Sequence, residues 1–174
     1  MTILTSARLR FEPFADSHFD GLYAMNADPE VMRYITGRPD TPEETRAAIA
    51  RVQGRWAQWG YSWWSLIEHD TGELVGAACL QHLGHDAANP LEIGWRLRRD
   101  RWGRGLASEA ARTILKHAFD VVAAPRVCAI RHPDNVDSRR VMDRLGMRHV
   151  GRQTWHDEEV EVHELSRADW LARG

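Results

Sequence analysis

Leu91-Glu92-Ile93-Gly94-Trp95-Arg96-Leu97, the basic stretch Arg98 to Arg101, and Trp102-Gly103-Arg104-Gly105-Leu106-Ala107 running on to Phe119 decide how this chain reads. The first segment has the composition of a buried strand. The last carries Ala107, Ala111, Ile114, Leu115, Ala118 and Val122 at helical spacing. Between them, Gly103 and Gly105 let backbone N–H groups converge with no Cβ in the way. A helix N-terminus adds unpaired donors and about half a positive charge. Strand, glycine loop and helix together suit a phosphate or pyrophosphate. The plainer alternative is a tight turn at the start of an ordinary amphipathic helix.

Two other phosphate loops fail on the residues. No Gly-x-x-x-x-Gly-Lys-Ser/Thr run exists, which excludes a P-loop. A dinucleotide fingerprint needs a third glycine where Ser108 stands, and the next strand ends at His132 rather than at an acid. The ligand is then neither a nucleoside triphosphate nor a nicotinamide dinucleotide.

Outward from this stretch, 74–82 is apolar on both faces, which is expected of a central strand. It returns from strand 62–69 through the turn Asp70-Thr71-Gly72. Residues 7–14 alternate as a half-buried strand, and Asp16 can cap a helix carrying Phe19, Leu22 and Tyr23. Pro29 restarts a short helix through Val31, Met32 and Ile35. Thr41-Pro42-Glu43-Glu44 is a capping box with proline at the first helical position, and Gly60 ends that helix. After the organising helix, 126–132 forms a strand, parallel to 91–97 because a helix connects the two. A helix follows to Leu145, then an antiparallel pair 148–154 and 158–166, and a terminal turn at 168–172. The expectation is one α/β (α+β) domain over 1–174. Its sheet is mixed and mostly antiparallel, with one central parallel pair and helices on both faces.

Composition bounds the function. A chain of 174 residues with 28% charged side chains has the size and polarity of one folded core. A net charge of −2 gives no global field for nucleic acid, while Arg96, Arg98, Arg99, Arg101 and Arg104 crowd the loop as they would around a small polyanion. Cys79 and Cys128 sit in apolar runs without a CxxC, as buried thiols of a reducing compartment do. His82 and His85 lack a third ligand, so no metal is expected. No signal peptide or membrane span is legible, and a cytoplasmic location without membrane contact is the default. The chain is open to being a monomer or a homodimer.

Two stretches carry a family likeness. Trp102 to Ala107, and Asn135-Val136-Asp137-Ser138-Arg139-Arg140-Val141 followed by Leu145-Gly146-Met147, resemble the GNAT superfamily of acetyl-CoA-dependent N-acetyltransferases. Within it the chain is similar to the Rim-type branch, which acetylates ribosomal-protein N-termini. The opening LRFEPF, the PEVMRYI segment, Glu92-Ile93-Gly94 and the closing SRADW fit in order.

The resemblance implies acetyl-CoA as co-substrate. Trp102, Gly105 and Ala107 stand at the Gln/Arg, Gly and Gly/Ala positions of the family's pyrophosphate loop, with Gly103, Arg104 and Leu106 between them. Tryptophan departs from the general pattern, but backbone N–H groups do most of the gripping. It implies a strand 91–97 splayed from 126–132, with the pantetheine arm bonding backbone near Trp95 and Leu97. Asn135 would contact the arm, cap the helix, or do both. Arg104 is either a phosphate contact or a solvated charge.

The chemistry is attack of a neutral amine on a thioester. Many members use a tyrosine seven positions after the asparagine as acid, where this chain has Met142. Ser138 shares the apolar stripe of Val141, Met142 and Leu145 and becomes the candidate donor. Glu92 is the candidate base, with His82 as rival and His132 and His163 more distant. Tyr34 to Gly37, Trp63, Trp64, His82 and Trp155 are the expected acceptor walls. The acceptor is a primary amine, either a peptide N-terminus or a small molecule. The competing function is a non-catalytic acyl-CoA-binding module, supported by Met142.

Overall fold

The computed structural model describes all residues from Met1 to Gly174. Its sheet has eight strands in the order β1-β2-β3-β4-β5-β6-β8-β7. These are β1 (Leu4–Thr5), β2 (Leu9–Pro13), β3 (Trp63–Glu68), β4 (Leu74–His82), β5 (Leu91–Leu97), β6 (Arg126–Arg131), β7 (Arg148–Trp155) and β8 (Glu158–Ser166). Every neighbouring pair is antiparallel except β5–β6. The helices are α1 (Phe19–Asn26), α2 (Pro29–Met32), α3 (Pro42–Trp59), α4 (Leu106–Asp120), α5 (Val136–Leu145) and α6 (Arg167–Ala172).

Helices cover both faces, as expected, and particular contacts assign them. On one face Gly21 of α1 meets Leu74, and Asn26 at the end of α1 bonds Arg96 of β5. On the other, Trp64 of β3 packs edge-on against His117 of α4, and Phe119 of α4 meets Trp170 of α6. α5 joins α4 there, and its Val141, Met142 and Leu145 belong to the main core. β4, between the two layers, is buried from Val75 to Gln81.

Local chemistry explains the helix ends. Thr41 Oγ1 accepts from the Glu44 N–H at 3.2 Å, Glu44 Oε2 accepts from the Thr41 N–H at 2.8 Å, and Gly60 closes α3 at φ 76°. α4 buries Leu106, Ala110, Ala111, Ile114, Leu115, Ala118 and Phe119 along one stripe. Asp16 differs from expectation. It lies inside a 3-10 turn, Asp16–His18, and Ala15 takes the cap position. His18 does the local bonding instead, accepting the Ala15 N–H at 3.2 Å through Nδ1. The two-residue strand β1 was not anticipated, since its length carries no periodicity.

Candidate active site

Only two residue pairs join β5 to β6: Leu91 with Val127 and Glu92 with Cys128. β5 continues along β4 to Leu97, and β6 continues along β8 to Arg131. The strands therefore part after Glu92 and Cys128. The facing edges of 93–97 and 129–131 carry backbone donors and acceptors with no ladder partner. Backbone polar groups away from water demand partners. An extended ligand with amide groups of its own completes such an edge.

A cleft of about 560 Å³ opens at this split. Trp95, Arg96 and Leu97 of β5 form its floor, and Gly103, Gly105, Leu106, Ala107 and Ser108 close one end. Gly103 and Gly105 have φ of 72° and 76°, a region that costs an L side chain energy. Gly105 is the N-cap of α4 and no side chain caps that helix, so its first N–H groups stay available to an anion. The loop is braced from outside. Arg8 donates to the Arg104 carbonyl at 2.8 Å and to Glu109 Oε2 at 2.7 Å, and Glu109 also accepts from Ser6 Oγ and the Arg8 N–H. Trp102 Nε1 donates to the Leu97 carbonyl at 3.0 Å, tying the loop to the strand end. An open loop of glycines, an uncapped helix and an unpaired strand edge fit a pyrophosphate followed by a pantetheine arm.

The structure brings most of the expected cofactor residues to this cleft. Trp95, Leu97, Trp102, Gly103, Gly105, Leu106, Ala107, Asn135 and Ser138 all line it. Asn135 is the N-cap of α5, its Oδ1 accepting the Ser138 N–H at 3.1 Å. Arg104 is exposed and does not line the cleft, whereas other arginines not given a site role from the sequence do. Arg144 lines the cleft and donates to Ser108 Oγ at 3.2 Å, beside the α4 N-terminus. Arg33 and Arg140 line it as well. The signal for Arg140 and Arg144 was present, since both follow Asp137 on one helical face. Arg101 lines the cleft too, but it and Arg98 are held by Glu73 and Asp100, with Glu68 also holding Arg101.

The expected acceptor walls separate into three groups. Tyr34 lines the cleft and stacks on His132, with ring centroids 5.1 Å apart. Trp63 is half-buried under the Arg96 guanidinium, and Trp155 packs against Gly84 and the small cluster of Leu83, Cys128, Val160 and Val162. Trp64 is not a wall. It is 0% exposed in the core, where Trp56 and His117 meet its ring and the Thr2 carbonyl accepts its Nε1–H. Alternation along β3 turns Trp63 and Trp64 to opposite faces.

His82 is also committed elsewhere. Its Nδ1 donates to the Asn89 carbonyl at 3.0 Å, and its Nε2 lies 3.0 Å from Tyr61 Oη. Met142 is 1% exposed and belongs to the core, whereas Ser138, one turn earlier, faces the cleft.

Glu92 stands where the split begins, 6% exposed. Burial pushes its carboxyl up to about 7, against a smaller opposite effect from the Gln81 amide, which donates at 2.9 Å. Gln81 Oε1, on the same side chain, is buried with no partner. Burial also lifts the Cys128 thiol to about 12, with Glu92 adding to the effect, so that thiol stays protonated and unreactive. The arrangement supplies an anion-binding end and an extended channel; Glu92, whose pKa burial raises, sits at the start of the split and neither it nor His82 lines the cleft.

Comparison with known proteins agrees with this geometry. The acetyltransferase (GNAT) domain family matches residues 8–148. The chain is 30% identical over 149 residues to the uncharacterized N-acetyltransferase YnaD of Bacillus subtilis, covering 85% of this chain and 84% of that one. Its fold superposes on a GNAT-family acetyltransferase of Bacillus anthracis with a TM-score of 0.82, at 25% identity, over 96% of this chain and 99% of the other. The structure of RimL, a ribosomal L7/L12 α-N-protein acetyltransferase in complex with coenzyme A, is similar in fold, with a TM-score of 0.77 at 18% identity, over 95% of this chain and 98% of that one.

Proposed function

The chain belongs to the GNAT acetyltransferase family and is an acetyl-CoA-dependent acetyltransferase; from that premise we propose that it acetylates a primary amine by direct attack on the thioester, with Glu92 as base and Ser138 as donor to the leaving sulfur. Acetyl-CoA supplies the activated acetyl group, and everything else rests on this chain. The observation that carries the reading is the buried carboxyl at the point where β5 and β6 part, with its proton poised near pH 7. A base matched to the working pH is the efficient one. A purely acyl-CoA-binding module has no use for an ionisable group buried there at a cost in stability.

The Rim-like order of motifs favours an α-amine, whether of a peptide or of a small molecule. Such an amine, of pKa about 8, is roughly a tenth neutral at pH 7, whereas a lysine amine is neutral about once in 2,500. Glu92, directly or through water, then has a modest task. Release of CoA across a panel of peptide and small-molecule amines tests the reading. No release with any amine, in protein shown to bind acetyl-CoA, overturns it.

Two further results are expected. Acetyl-CoA, but neither ATP nor NAD, raises the melting temperature; at 100 times its Kd the added stability is about 2.7 kcal/mol. A scanning-fluorimetry titration reads this, and an absent shift at millimolar acetyl-CoA counts against the cleft assignment. Ser138→Ala lowers kcat and kcat/KM together by roughly tenfold to a hundredfold, the low end for a positioned acid because a CoA thiolate leaves readily. Acetyl-CoA affinity stays close to wild type. Unchanged kcat, with chemistry rate-limiting, reduces Ser138 to a packing residue.

A further inference from the structure

Five arginines line the cleft, Arg33, Arg96, Arg101, Arg140 and Arg144, against two acids, Glu30 and Asp137. Three of the five have partners away from the loop end. Arg101 is paired with Glu68, Glu73 and Asp100. Arg96 is bonded to Asn26 and lies over the Trp63 ring. Arg33 lies over the ring of Tyr34, between α2 and α3. The other two, Arg140 and Arg144, both belong to α5. One helical turn apart, they share a face and are separated by about 6 Å along the axis.

Arg144 forms no ion pair, and its side chain donates only to Ser108 Oγ, at 3.2 Å. Ser108 is the third residue of α4, so the guanidinium sits against the first turn of that helix. There it faces the positive end of the α4 dipole, an unfavourable place for a cation. Its backbone position in the last turn of α5 is favourable, but an arginine extended into solvent would have that benefit without the cost at α4. Arg140 meets Asp137 at 3.2 Å through Nη1 alone. Both side chains of that pair are more than half exposed, so it is worth little and leaves other guanidinium N–H groups free. The place of these cations along the cleft is fixed. Glu92 stands where β5 and β6 part, the glycine loop follows the opposite end of β5, and Arg144 touches α4 just beyond that loop.

Acetyl-CoA carries a third phosphate besides its pyrophosphate. The pyrophosphate groups bear a single charge each, and the amide N–H groups of the loop and of uncapped α4 suit them. The third is a monoester at the ribose 3′ position, farther from the thioester and close to dianionic at neutral pH. A dianion calls for charged donors, and planar guanidinium forks bond phosphate oxygens through paired N–H groups. We propose that Arg144, with Arg140 beside it, holds the 3′-phosphate of coenzyme A, so that this chain selects CoA over its 3′-dephospho form. The backbone donors already serve the pyrophosphate, which leaves the α5 arginines for the charge beyond it. A dianion at Arg144 also offsets the repulsion between that guanidinium and the α4 dipole. The inference rests on the acetyl-CoA reading of the cleft and adds the side chains that discriminate at its far end.

The test is calorimetric titration with CoA and with 3′-dephospho-CoA, which needs neither an acceptor nor turnover. Wild type is expected to bind CoA about tenfold to a hundredfold more tightly, the worth of a hydrogen bond between charged groups. Arg144→Gln is expected to lose that preference by weakening CoA alone, with dephospho-CoA held to within about twofold of wild type. Arg144 is exposed, so the variant folds, and a circular-dichroism melt checks this. Arg140→Gln lowers the preference by a smaller factor, since Asp137 shares its charge. Added salt shrinks the wild-type preference, as it does for any exposed charge pair. Equal affinities for the two ligands in the wild type overturn the inference and leave CoA binding standing. A preference retained in Arg144→Gln overturns it as well. So does an equal loss for both ligands, which puts Arg144 on the pyrophosphate. Binding of neither ligand by folded wild type removes the acetyl-CoA reading of the cleft and this inference with it.

Discussion

Gly105→Val is expected to weaken acetyl-CoA binding at least a hundredfold in a protein that still folds. Gly105 holds φ at 76°, where an L residue is strained by about 1–2 kcal/mol and a β-branched one by more. A Cβ there meets Arg8 Nη2 at 3.6 Å, an ordinary contact, so the fold is not pushed apart. The strain is relieved by turning the peptide units on either side of residue 105, and these are the groups that open toward the cleft. A hydrogen bond to a charged partner is worth about 1.5–3 kcal/mol, and the loss of one or two gives the stated factor. Glu109, anchored to Ser6 and Arg8, keeps the rest of α4 in place. Calorimetric titration with acetyl-CoA, beside a circular-dichroism melt, measures both parts. Affinity within threefold of wild type in a folded variant would remove the backbone cradle from the account.

Much of the fold was legible because its signals are local and redundant. Thr41 to Glu44 names a helix start by hydrogen bonds that can be written down from sequence. The apolar run of β4 reads as a central strand because no polar residue interrupts it. The strand–helix–strand unit fixes the single parallel pair through handedness and length. The glycine loop and helix start that close one end of the cleft were equally readable, since they act through backbone.

Side-chain walls were harder, because residues adjacent in sequence are turned to opposite faces. Trp63 and Trp64 are chemically alike, and the register of β3 alone decides that the first is half-open and the second sealed in the core. His82 drew attention as a strand-end histidine, but Tyr61 and the Asn89 carbonyl, brought in by neighbouring loops, take both ring nitrogens. The arginines near the loop carried charge without saying which were free. Acidic partners at Glu68, Glu73 and Asp100 tie down Arg98 and Arg101, whereas Arg144 comes to the α4 N-terminus from another helix. Free cations are a tertiary property, visible only after ion pairs are assigned.

Glu92→Gln is expected to move stability and activity in opposite directions. In the folded chain burial raises the carboxyl from 4.5 to about 7. A raised pKa means the folded state holds its proton more tightly than the unfolded state does. The resulting stabilisation is complete below about pH 4.5 and is lost as pH rises through about 7. Between those limits the wild type gives up about 3 kcal/mol, from roughly 2.5 pKa units at 1.36 kcal/mol each. Glutamine does not titrate, so the stability difference between variant and wild type should grow by about 3 kcal/mol from pH 4 to pH 8, in favour of the variant. Its amide also supplies N–H donors beside Gln81 Oε1, which lacks one. For a chain of this length the gain amounts to several degrees in Tm at pH 8. Activity goes the other way: loss of a positioned base lowers kcat/KM by about 10²–10⁴-fold. Urea unfolding at pH 4 and pH 8, set beside initial rates with a saturating amine, measures both. A variant that is inactive and also less stable at both pH values would make Glu92 a structural residue. A variant more stable at pH 8 yet fully active would leave the ionised carboxyl without a part in catalysis. Only the combination of gained stability at alkaline pH and lost turnover identifies a group held in a costly ionisation state for its chemistry.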